Sequence, residues 1–130
     1  MIIRVQQQKL SPILITETYR TYERSDYLYE QGRSRPGNIV SNAVGGFSIH
    51  NFRMAFDFAR NVKGKEWDNT DGFFNQVGAI WRAMGGVWGG DWPGFIDLPH
   101  CEWTNGHTTG WFRNGNNVSV NVKMPWEIQG

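Results

Sequence analysis

The chain has 130 residues and a formal net charge of +1 at pH 7, from thirteen Lys and Arg against twelve Asp and Glu. That length supports one domain with its own core, and the charge balance excludes an electrostatic binder of nucleic acid or membrane surfaces, which would carry a basic excess. No apolar run approaches the roughly 20 residues of a bilayer span, the opening "MIIRVQQQKLSP" has no signal-peptide pattern, and the single Cys101 excludes an internal disulfide, so the expectation is a monomer made in the cytoplasm, with no membrane anchor and no nucleic-acid partner.

Ile13 to Thr16, "ILIT", reads as a short buried strand after Pro12. Glu23 to Gln31, "ERSDYLYEQ", suits a short helix closed by Gly32 just past its end. "GRSRPGN" and "AVGGFS" are turn-rich loops. Met54 to Ala59 alternates as a strand, with Phe56 and Phe58 on one face and Ala55, Asp57 and Ala59 on the other. "KGKEWDNTDG" is a polar connection. Asp71 to Met84 forms the clearest helix: Phe73, Val77, Ile80, Trp81 and Met84 make its apolar stripe, and Gly85-Gly86 ends it. "VWGGDWPGF" reads as a Gly/Trp loop and "HCEW" as a strand that begins after Pro99. The tail reads as a hairpin, from Trp111 to Arg113 through an Asn114-Gly115 turn to alternating Val118, Val120 and Val122. Helices and strands without βαβ regularity predict an α+β fold, in a single domain over residues 1–130.

The question the pattern poses is Asp57, a carboxylate inside a strand that looks buried. Ala55 and Ala59 leave space over its face, and a charge held there needs a partner, because an unpaired buried charge is very costly. His50, seven residues upstream, supplies a neutral imidazole. A metal ion would satisfy both: zinc accepts His nitrogen and Asp oxygen, and a catalytic zinc takes three protein ligands and a water. "DLPHCEW" offers the third in His100, with Asp97 three residues before it and placed to lean over the metal-bound water as a general base. Pro99 excludes the helical H-E-x-x-H arrangement. Plainer readings stand beside these. His50 can be a hydrogen-bonded loop histidine, Asp57 a partner for Arg53 or Arg60, and Asp97 a turn aspartate.

Together the segments "ITETYRTYERSDYLYEQGRSRPGNIVSNAVGGFSIHNFRMAFDFA" and "GAIWRAMGGVWGGDWPGFIDLPHCEW" resemble the zinc peptidases that cut peptidoglycan stem peptides. That family holds the D-alanyl-D-alanine carboxypeptidases and the L-alanyl-D-glutamate endopeptidases, phage endolysins among them. The resemblance covers roughly Ile13 to Trp103; an S-x-H-x(6)-D element matches Ser48, His50 and Asp57, and a D/E-x-x-H element matches Asp97 and His100. It implies a small antiparallel sheet carrying a zinc site and flanked by helices, as in the D-Ala-D-Ala peptidase and hedgehog-like folds. It implies Zn2+ on His50, Asp57 and His100, Asp97 as catalytic base, Arg20 facing the substrate carbonyl and Ser48 as a substrate contact. The expected partner is the bacterial peptidoglycan stem peptide, met by a protein made in a bacterium or a phage-infected host. The chain departs from the family in having Arg53 where Gly is common, Cys101 where an aromatic is common, Ser25 where Gln is common, and a shorter helical segment before "ILIT".

The resemblance implies a bare catalytic domain, without a wall-binding module, that acts as an L-alanyl-D-glutamate endopeptidase. The alternatives are a D-alanyl-D-alanine carboxypeptidase, a non-catalytic zinc-containing wall-binding domain, and a structural zinc domain closed by Cys101 or His107. Cys101 should point away from His100, into the core. His107 reads as a loop residue, Arg20 alternatively as a salt-bridge partner of Glu17 or Glu23, and Ser48 alternatively as a loop-shaping group. Trp88, Trp92 and Trp103 can wall a cleft or pack in the core.

Overall fold

The computed structural model describes residues 1–116. Four antiparallel strands pair in the order β1-β2-β4-β3: β1 (Ile13–Glu17), β2 (Ala55–Arg60), β3 (Val87–Trp88) and β4 (His100–Glu102). Helices α1 (Ile2–Gln7), α2 (Tyr22–Glu30), α3 (Phe73–Ala83) and α4 (Thr109–Arg113) complete the α+β fold.

The core forms where α3 lies against one face of the sheet. Phe73, Val77, Ile80, Trp81 and Met84, the predicted stripe, are all buried, together with Phe58 of β2, Trp88 of β3 and Cys101 of β4. Each large apolar side chain removed from water contributes on the order of 1.5–3 kcal/mol. Gly78 lets this packing close: a Cβ there would lie 2.2 Å from the Trp88 ring. Since strand side chains alternate, sending Phe58 and Cys101 to α3 sends Asp57, His100 and Glu102 to the opposite face. The β2–β4 register then sets Asp57 opposite His100 and Ala55 opposite Glu102. The site is thus the back of the core.

Several elements differ from expectation. β3 lies in the segment read as a loop, where it is only two residues long. A short helix, α1, precedes β1 and packs Val5 into the core. Trp111 to Arg113 belong to α4, not to a hairpin strand. Thr108 caps that helix by accepting a hydrogen bond from the Trp111 N–H, Trp111 stacks on His107, and Asn114-Gly115 ends the helix. The remainder of the expected hairpin lies outside the described residues. Among the described residues no helix is long and apolar enough to cross a membrane.

Candidate metal centre

His50 sits on a short 3-10 turn, Ile49–Phe52, whose start is fixed by Ser48. The Ser48 hydroxyl accepts from the His50 N–H at 3.3 Å, which is a loop-shaping role, while Ser48 also lines the cleft. Asn51 ties this turn to the α2 side of the molecule. Its Nδ2 donates to the Arg20 carbonyl at 3.0 Å and to the Ser25 hydroxyl at 3.0 Å, and its Oδ1 accepts from the Gly46 and Ser48 N–H groups. Ser25, the departure from Gln, is therefore a buried anchor for Asn51. Arg53 ends the turn in the left-handed region at φ 63°, which explains why glycine suits that position. Its guanidinium stacks 4.1 Å over Tyr19 and does not line the cleft.

Asp57 comes from the middle of β2 and His100 from the start of β4, side by side in register. His50 Nε2 lies 3.1 Å from Asp57 Oδ1, His100 Nδ1 lies 3.4 Å from the same oxygen, and the two ring nitrogens are 3.2 Å apart. Three ligands held about 2.0–2.1 Å from a tetrahedral zinc would be separated by about 3.3–3.4 Å, so the triangle has the size such an ion requires. The far nitrogens settle the chemistry. His50 Nδ1 meets the Thr18 carbonyl at 2.8 Å, and His100 Nε2 meets Glu102 Oε1 at 2.7 Å. A carbonyl and a carboxylate only accept, so both far nitrogens carry the hydrogen and turn their lone pairs inward. Two imidazole lone pairs and a carboxylate converge, and the set could hold one metal ion.

The electrostatics agree. Burial would raise the Asp57 carboxyl, but hydrogen bonds with His100 and His50 outweigh it and hold it well below the usual carboxylate range. Burial pushes the His100 imidazole down, yet Asp57 and Glu102 prevail and raise it to about 9. With no cation present, the inward-facing groups recruit a proton instead.

Asp97 lines the same cleft, three residues before His100. Its N–H donates to the Gly89 carbonyl at 3.0 Å and its carbonyl accepts from the His100 N–H at 3.2 Å, so the turn carrying it is fixed at both ends. Gly89 is required for this approach, since a Cβ there would meet the Asp97 carbonyl oxygen at 2.4 Å. Burial raises the Asp97 carboxyl above its ordinary value, with His100 opposing. Arg20 is buried beside Asp57, its Nη2 3.8 Å from Oδ2, and donates from Nε and Nη2 to both oxygens of Glu17 at 2.8 and 2.9 Å. The Glu17 ion pair and the place at the cleft thus coexist. A β-bulge between Ile15 and Glu17 brings Glu17 opposite Asp57. Neither Arg53 nor Arg60 pairs with Asp57; Arg60 binds Asp71.

The cleft over these groups holds about 500 Å³, with Val40 to Ala43 and Phe47 on its lining, and Trp92, Pro93 and Phe95 also lining it. Arg113 of α4 lies 3.9 Å over the Phe47 ring and donates to the Gly46 carbonyl at 2.7 Å, so α4 buttresses the loop that leads to His50. Of the three tryptophans, Trp92 lines the cleft, with its ring 4.8 Å from that of His100, whereas Trp88 is core and Trp103 packs against the core. Cys101 is wholly buried on the far side of β4, and His107 stacks on Trp111 outside the cleft, so neither closes a fourth position. Sequence reasoning missed Asn51, which was signalled by its place three residues after Ser48, a capping-box spacing; of the two partners it offered for Arg20, the structure selects Glu17.

A His-Asp-His donor set brought together by a short turn and two paired strands, with a carboxylate beside it in an open cleft, defines a metallohydrolase type of site. Residues 41–103, which carry those donors, match the family described as D-alanyl-D-alanine carboxypeptidase. The peptidoglycan L-alanyl-D-glutamate endopeptidase CwlK of Bacillus subtilis (strain 168) is 43% identical over 99 residues, covering 69% of this chain and 59% of the relative. The L-alanyl-D-glutamate peptidase of Listeria phage A118 is 30% identical over 115 residues, covering 85% of this chain and 37% of the relative. The matched region is less than two thirds of the length of either relative.

Proposed function

We propose that the chain is a zinc-dependent peptidoglycan stem-peptide hydrolase that cuts the L-Ala–D-Glu bond. The observation that carries the reading is the triangle of His50 Nε2, Asp57 Oδ1 and His100 Nδ1, sized for one ion and open to the cleft. The two endopeptidase relatives favour the internal bond. Two nitrogens and one oxygen are a donor set zinc accepts; when bound there, zinc supplies a Lewis acid that polarises a peptide carbonyl and acidifies water toward neutral pH.

The chain's own groups do the rest. The Asp97 carboxylate takes a proton from the attacking water and returns it to the departing amine. Its raised affinity for protons, caused by burial, suits a group that must hold the proton between those steps. Arg20, oriented by Glu17, faces the developing oxyanion as a fixed cation. Ser48 holds the His50 turn and borders the substrate path. Trp92 and Phe95 line the cleft that also holds Asp97.

The test is digestion of purified sacculi with mass analysis of the fragments. New amino-terminal D-Glu, abolished by chelator and restored by zinc, is the expected result. Release of free D-Ala with no new amino-terminal D-Glu would promote the carboxypeptidase reading that the family description carries.

A further inference from the structure

We propose that Glu102 is the positioning carboxylate of His100, fixing which nitrogen the ring presents to the metal, and that it is not the base of the reaction. The inference rests on the reading of His50, Asp57 and His100 as a metal site.

Residues two apart on a strand share a face, so Glu102 stands beside His100 while Cys101 between them points into the core. Its carboxylate accepts from His100 Nε2 at 2.7 Å, which commits Nδ1 to the triangle. The Glu102 backbone is held from three sides. It pairs with Ala55 of β2 and Val87 of β3, and its carbonyl accepts from Trp81 Nε1 of α3 at 3.1 Å. Glu102 and Asp97 both line the cleft, but the Glu102 carboxylate is engaged with the His100 imidazole, whereas Asp97 stands on a turn of its own. The two histidines are thus oriented by unlike means: His50 by a main-chain carbonyl, which no substitution can remove, and His100 by a side chain, which a substitution can.

The experiment measures zinc affinity by chelator competition for wild type, Glu102→Ala and Glu102→Gln, followed by turnover of each at saturating zinc. Circular dichroism and melting of the metal-free proteins report the fold. Loss of such an orienting partner costs about 10–100-fold in metal affinity, which is the expectation for Glu102→Ala. Glu102→Gln keeps an acceptor without the charge and should weaken binding by at least about threefold but less than Ala. With zinc saturating, turnover should return to within about tenfold of wild type in both, since a base role would leave a deficit of about 10²–10⁴. Unchanged zinc affinity in the folded variants overturns the proposal, as does a deficit of the larger size with zinc bound, which makes Glu102 the base. Where Glu102→Ala does not fold, the Gln variant decides by the same two readouts. Wild type that binds no zinc fails the metal reading itself and this inference with it.

Discussion

At the scale of the residue, the proposed function gives Asp97 and His100 separable duties although they are only three positions apart. Asp97→Asn is expected to keep zinc and thermal stability while losing about 10²–10⁴ in turnover, and His100→Ala to lose most of the bound metal; full zinc content in the latter would remove His100 from the site. The titration behaviour gives a second expectation. In the metal-free protein Asp57 is held below the usual carboxylate range, so its contribution to stability is complete above about pH 4 and is lost as pH falls. His100 is raised to about 9, so its contribution is complete below about pH 6.5 and is lost as pH rises through about 9. Melting temperatures in chelator should therefore peak between about pH 4 and 6.5 and fall toward 9. Zinc, which needs the neutral imidazole, should bind more tightly as the pH rises over that same interval. A flat chelator profile from pH 5 to 9 would contradict the His100 environment. The donors were legible as residue types, because a carboxylate on an alanine-flanked strand face and two histidines invite a cation. The bonds that orient them were not: the Thr18 carbonyl and the Asn51 contacts depend on where a distant turn lands.

At the scale of the element, the 3-10 turn carrying His50 has the most to lose. Asn51→Ala removes hydrogen bonds that reach Arg20, Ser25, Gly46 and Ser48, and a cost on the order of 3 kcal/mol is expected from the buried groups left unpaired. Denaturant unfolding checks this, and activity should fall further than stability accounts for. At Arg53 the left-handed backbone makes the order of variants diagnostic: Arg53→Gly should be more stable than Arg53→Ala by roughly 1 kcal/mol. Equal stabilities would mean that φ relaxes on substitution. The sequence shows elements in proportion to their length and periodicity. The α3 stripe spans three turns of helix and is plain; β2 alternates over six residues and is nearly so. β3 has two residues and no period to read, and the α4 segment carries an Asn-Gly pair that fits a hairpin turn as well as a helix end. There the Thr108 cap and the His107–Trp111 stack decide, and neither is a periodic signal.

For the whole molecule, one sheet serves two masters, with α3 on one face and the donors on the other. The α+β class, the core stripe and the face of Asp57 were all readable, because alternation along β2 sorts phenylalanine from aspartate. The cleft was not, since its lining comes from loops around Val40, Phe47 and Trp92 that carry no periodic signal. The sheet order β1-β2-β4-β3 places β4, which carries His100, between two partners, so the strand cannot leave the sheet unless pairing on both sides gives way.

Cys101 makes that departure visible. It is the single cysteine of the chain, wholly buried on β4 with its thiol pushed up by burial, and it is bracketed by His100 and Glu102. A thiol so placed reacts with a labelling reagent only when the strand detaches. The native protein therefore carries its own clock for the exposure of the centre, without any introduced probe. Labelling should be slow in the folded state and slower again with zinc bound, by the factor that the metal adds to the closed population. Fast labelling of Cys101 without global unfolding would show instead that β4 leaves the sheet by itself, and that the back of the core is a door.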